Sequence, residues 1–175
     1  FFGLCWGVMQ NYVAIFGQER LNITDGTGLF FALLSAGLII SRFFGGKQLR
    51  RGEISASGAQ GVILSTIGYA LFAFSPGAWA YYLSALFIGL GNGRMYPAML
   101  NMFVNMARHD QRGTANSSIL ISWDLGMGIG IVMGGFLIEY ISYTTAFWTV
   151  AAIQATGAAV YLQFSSEYFN SHKLV

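Results

Sequence analysis

Two charged side chains stand inside long apolar runs, and any chemistry this chain performs would begin with them. Arg94 follows the glycine-spaced stretch Gly89-Leu90-Gly91-Asn92-Gly93, and Asp124 follows Trp123 in the run that opens at Thr114. A guanidinium is a permanent positive charge suited to holding an anionic group, whereas a carboxyl can take up and release a proton. Amides accompany them at helical spacing. Successive helical residues turn by about 100°, so Asn101 and Asn105 fall within about 20° of Arg94, while Asn11 and Gln18 share another face with Gly7 nearby. These six residues, Arg94, Asp124, Asn101, Asn105, Asn11 and Gln18, form the expected pathway for a substrate or an ion.

The remaining reactive side chains support no covalent step. His109 lies beside Asp110 and His172 near the end of the chain, and neither has a metal-ligating companion at helical spacing. Ser117-Ser118 has no histidine nearby to make a nucleophile. The Gly126-x-Gly128-x-Gly130 spacing follows no strand, so it does not read as a phosphate-cradling loop. A net charge of +2 is too small for a phosphate-binding face, which excludes nucleic acid as a partner, and the single cysteine, Cys5, forms no intrachain disulfide. The expectation is a protein that is not an enzyme and carries no cofactor.

The elements that hold these residues are set by composition. Of the 175 residues 55% are hydrophobic and only 9% charged, with 23 glycines and a mean hydropathy of +0.56. A soluble domain clothes its surface with about a quarter charged residues, so the expected solvent is a lipid bilayer. A helix rises 1.5 Å per residue and must cross roughly 30 Å of hydrocarbon, which calls for about 20 apolar residues. Six such runs are read, at 1–18, 27–46, 57–74, 79–106, 114–138 and 145–164, followed by a cytoplasmic tail at 165–175. The fold class expected is all-α integral membrane. The chain starts at Phe1, directly inside an apolar run, and reads as a piece of a longer protein.

Loops two and four and the tail hold Lys47, Arg50, Arg51, Arg108, Arg112 and Lys173, with Arg42 at a helix end, whereas the odd-numbered loops hold only Arg20. Basic residues in short loops stay on the cytoplasmic side, which places both ends of the chain there, in the inner or plasma membrane. Arg94 then lies about 21 Å and Asp124 about 15 Å from the cytoplasmic helix ends. The nominal depths differ by only about 6 Å, so the two charges are within reach of pairing across adjacent helices. Two readings stand side by side: a structural ion pair, or a substrate- or ion-handling site. The amides likewise read either as interhelical hydrogen bonds or as cavity lining. In the fifth run Gly126, Gly130 and Gly134 form overlapping small-xxx-small repeats for helix packing, about 200–280° around from Asp124.

Six spans, a basic loop after the second, the Gly89–Pro97 stretch, and Arg112-Gly113-Thr114-Ala115 leading to Trp123-Asp124-Leu125-Gly126 resemble the major facilitator superfamily, specifically its C-terminal six-helix half. The loop carrying Lys47, Arg50 and Arg51 is similar to the signature after the second helix of each half, with Arg50 where the aspartate would be sought. Gly130, Gly134 and Gly135 are similar to an exporter glycine signature whose proline is replaced by Ile131. The resemblance implies secondary active transport of a small-molecule substrate by alternating access, coupled to a proton or other ion. Its partners would be the bilayer and a missing N-terminal six-helix half, and its first and fourth helices would line the cavity. The competing reading is a non-transporting membrane scaffold or sensor subunit.

Overall fold

The computed structural model describes residues 1–23 and 27–172, and every regular element among them is helical. Six long helices follow one another: α1 (Phe2–Leu21), α2 (Gly28–Arg50), α3 (Ile54–Phe74), α4 (Ala78–Met106), α5 (Arg112–Tyr140) and α6 (Tyr143–Val160). A 3₁₀ turn at His109–Gln111 leads into α5, and α6 passes through a π-helical segment, Tyr161–Ser165, into the short α7 (Ser166–His172). The segment expected to be a tail therefore continues as helix to His172. Asp25 in the first turn and Lys173 in the tail lie outside the described residues.

Among the described residues, four stretches are long and apolar enough to cross a membrane: Gly28–Arg50, Ile54–Phe74, His109–Tyr140 and Tyr143–Ser171. The other two long helices, α1 and α4, fall outside that set, and both carry interior amides and charges: Gln10, Asn11 and Gln18 through Arg20 on one, Asn92, Arg94, Asn101 and Asn105 on the other. The two long helices outside that set are thus the ones carrying the expected stripes of Asn11 with Gln18 and of Arg94 with Asn101 and Asn105.

The ends are set by local chemistry. Asn22 closes α1 in the left-handed conformation at φ 51°, and its N–H donates to the Gly17 carbonyl. Gly52 turns the chain between α2 and α3 at φ 78°, a region that favours glycine, with its N–H donating to the Leu49 carbonyl. The Ser142 hydroxyl accepts from the Thr145 N–H at 3.1 Å and starts α6. These turns are short, so the loop expected at Lys47–Ser55 shrinks to Arg51–Glu53. Lys47 and Arg50 belong to α2, and Arg42 sits two turns inside it rather than at its end.

The register of contacts gives an alternating up-down bundle. Gly3 and Gly7 of α1 meet the backbone of Trp123 and Met127, while Gly130 and Gly134 of α5 meet Leu4 and Val8, so α1 and α5 run parallel with Gly126 in the same seam. Gly89 and Gly93 pack α4 on α2 at Leu34 and Leu38, and Gly91 packs it on α3 at Ser65. Glycine on one helix lets the partner backbone approach to a distance that any Cβ would block. At the Arg20 end the core is aromatic: Phe72 lies 4.6 Å from Phe147 and Phe30 4.6 Å from Tyr81, ring centre to ring centre. At the opposite end, where Arg50, Arg51, Arg108 and Arg112 gather, it is built on Met95, Met102, Ala98 and Tyr161.

Candidate functional site

Between α1, α2, α4 and α5 the bundle leaves a cavity of about 240 Å³. Trp6 of α1, Leu38 and Arg42 of α2, Asn92, Tyr96 and Pro97 of α4, and Trp123 of α5 line it. Tyr96 and Trp123 meet edge to face, with ring centres 5.0 Å apart and planes at 76°, the geometry that aromatic quadrupoles prefer. Each wall is placed by the seams already described. The α1–α5 glycine contact carries Trp6 and Trp123 to one side, and Gly93 lets α4 close on Leu38 and Ser41 of α2 to form the other. Asn92 and Tyr96 are four residues apart and so share a face of α4.

Behind Asn92 the interior is polar, neutral and connected. The Gln154 Nε2 of α6 donates to Ser65 Oγ of α3 at 3.1 Å, and Ser65 Oγ donates to Asn92 Oδ1 at 2.9 Å. All three residues are buried, and this chain ties α3, α4 and α6 together. In the groove the situation reverses. Arg42 is exposed, and among the described residues it has no hydrogen-bond or ion-pair partner. It lies eight residues before the end of α2, about 12 Å inside the helix terminus. A guanidinium on a membrane helix is kept where water, its own reach toward the helix end or a partner compensates its charge.

The structure separates Arg94 from Asp124, which the spacing had placed within reach of each other. Arg94 donates from a terminal guanidinium nitrogen to Gln60 Oε1 of α3 at 2.7 Å, and Gln48 Nε2 of α2 shares the same acceptor at 3.3 Å. Its stem runs past Gly45, where an added Cβ would lie 3.2 Å from Arg94 Cγ. It therefore faces the α2–α3 turn. Asp124 is exposed on α5 with no ion-pair partner among the described residues. Asn11 and Asn101 turn back on their own helices, donating to the carbonyls of Gly7 at 2.9 Å and Pro97 at 2.7 Å. Asn11, Gln18 and Asn101 are exposed and Asn105 is half-buried; none bonds a neighbouring helix.

A family model described as Major Facilitator Superfamily matches residues 59–173, from the first turns of α3 onward. The chain belongs to that superfamily. Membership makes it an integral membrane protein and not an enzyme. This superfamily chain is 27% identical over 155 residues to the multidrug resistance protein MdtH of Yersinia pestis (strain Pestoides F), and to that of Yersinia pseudotuberculosis serotype O:1b (strain IP 31758). The match covers 83% of this chain and 38% of each relative, so the chain spans well under half their length.

For a superfamily member the lining residues that sequence reasoning passed over are the informative ones. Trp6, Arg42, Asn92, Tyr96, Pro97 and Trp123 come from four helices, and only packing assembles them. Two signals were present in the sequence. Asn92 and Tyr96 share a face at a four-residue interval, and Arg42 stands eight residues before Arg50, too far from it to belong to the same helix end if the helix continues.

Proposed function

We propose that the chain is the C-terminal six-helix half of a secondary transporter that moves a small solute across the membrane by alternating access, with the groove between α1, α2, α4 and α5 as its share of the solute path. The observation that carries this reading is an aromatic-lined cavity with an unpartnered guanidinium inside a bundle of the Major Facilitator Superfamily. Membrane helices keep such a charge only where water, a partner or a substrate compensates it. The relatives' name, multidrug resistance protein, favours drug-like small molecules as the solute.

The companion half would rock against α5, whose outer side exposes Ile121, Leu125, Ile129, Val132 and Phe136. The length of the relatives beyond the matched 38% leaves room for it. Asp124, exposed on α5 between Ile121 and Leu125 of this apolar strip, is the group proposed to carry a coupling ion. The gathering of Arg50, Arg51, Arg108 and Arg112 at one end supports a cytoplasmic orientation for both termini, in the inner or plasma membrane. Thiol labelling of Gln111→Cys from outside the cell would reverse that assignment.

Solute flux tests the reading. In proteoliposomes the 175-residue chain alone should move no solute, and co-reconstitution with the six-helix half encoded upstream should give uptake driven by a pH gradient. Asp124→Asn in the reconstituted pair should keep solute binding and lose accumulation against a gradient. Flux that never depends on the companion half, or accumulation that survives Asp124→Asn, contradicts it.

A further inference from the structure

The chemistry of the cavity limits what it can hold. Its walls are two indoles, a phenol and a proline ring, from Trp6, Trp123, Tyr96 and Pro97, and these surfaces favour a flat apolar body. The one charged side chain among them is Arg42, a cation without a partner among the described residues. Asn92 has its Oδ1 occupied by Ser65 and its amide also meets the buried Tyr69 hydroxyl, so what it offers the cavity is one Nδ2 hydrogen. Both polar groups are therefore hydrogen-bond donors, and no carboxylate stands among the lining residues to balance them.

We propose that this cavity binds a planar aromatic anion, its ring held between Trp6 and the Tyr96–Trp123 pair and its carboxylate or sulfonate received by Arg42 with help from Asn92. The assignment rests on reading the groove as a solute path and adds the class of solute. The guanidinium fork matches two oxygens of a carboxylate or sulfonate and forms charge-assisted hydrogen bonds. A cationic aromatic meets the same rings but is repelled by Arg42. At 240 Å³ the cavity suits a body of one or two fused rings.

The test uses the purified chain in discs of zwitterionic lipid, with empty discs subtracted, and three probes of one shape: 2-naphthalenesulfonate, 2-naphthalenemethanol and a 2-naphthyltrimethylammonium salt. Isothermal titration calorimetry should show the sulfonate binding about tenfold more tightly than the ammonium, the equivalent of roughly 1.4 kcal/mol. Arg42→Gln should erase that preference and leave the neutral alcohol's affinity within about twofold, because only the charge-assisted bond is lost. Arg42→Lys should keep part of the preference, since a point charge remains without the fork. Trp123→Ala should weaken all three probes. Monodisperse elution and unchanged helical circular dichroism certify each variant.

Equal or tighter binding of the ammonium, an unchanged preference in Arg42→Gln, or no binding of any probe would overturn the proposal. Failure of the transport reading looks different. Binding with the expected charge preference but no flux in the reconstituted pair removes transport and leaves the site, whereas flux of all three probes without charge preference removes the assigned solute class and leaves transport.

Discussion

The interior behind α4 and the groove in front of it treat polar side chains in opposite ways. Behind, Ser65, Asn92 and Gln154 are neutral, buried and bonded to one another across three helices. In front, Arg42 is charged, exposed and without an ion-pair partner among the described residues. In a medium that cannot hydrogen-bond, neutral amides meeting each other give helix adhesion at low desolvation cost, while a bare charge is retained only at a cost. The contrast separates groups that hold the bundle together from groups left available for something that comes and goes.

That contrast can be broken first at a close backbone contact behind α4. An added Cβ on Gly91 falls against the Ser65 backbone N–H, and helix backbone cannot yield as a flexible side chain can. Gly91→Val should therefore destabilise the chain by on the order of 3 kcal/mol, with a matching loss of monodisperse protein in detergent. The same change at Gly128, where nothing lies within 4 Å, should leave the thermal midpoint nearly unchanged. A smaller effect is expected within the buried network. Asn92→Ala leaves the Ser65 hydroxyl without its acceptor and should cost about 1–2 kcal/mol, read as a lower midpoint of thermal unfolding. Neutralising the exposed charges should matter least for stability: Arg42→Gln and Asp124→Asn are each expected within about 0.5 kcal/mol of the parent. Because Arg94 bonds Gln60 rather than Asp124, a double-mutant cycle on Arg94→Gln and Asp124→Asn should show a coupling below about 0.5 kcal/mol. A coupling of 2 kcal/mol or more, on the scale of residues in direct contact, would restore the ion pair.

Six helical runs were legible in the sequence because charges, glycines and prolines punctuate them. Their ends were less so. The second run was closed at Gly46 where hydropathy falls, but helix formation does not require apolar residues, and α2 continues through Lys47 to Arg50. That extra turn converts Arg42 from a terminal charge into a groove residue. Helical phase correctly groups residues by angle but says nothing of which neighbour a face meets. Thus Arg94 and Asp124, close in nominal depth, face different helices, and the Gly45 gap draws Arg94 toward Gln60. Trp6, Tyr96 and Trp123 could not be told from ordinary membrane aromatics by sequence alone, because what distinguishes them is convergence from three helices on one cavity. The Ser65–Asn92–Gln154 chain was hidden for the same reason, with sequence separations of 27 and 89 residues.

The most direct measurement of the central claim is water access in the membrane. In a Cys5→Ala background, Arg42→Cys, Tyr96→Cys and Trp123→Cys report the groove, while Ile63→Cys, Ile67→Cys and Trp148→Cys report exposed apolar positions on α3 and α6. Each is treated in intact vesicles, opened to both sides, with a membrane-impermeant sulfonated thiol reagent. The groove positions should react and the α3 and α6 positions should stay protected by lipid. Uniform protection of all six, or reaction at Ile63 and Ile67 with none at Arg42 and Tyr96, would show that the groove is not a wet path and would contradict the account.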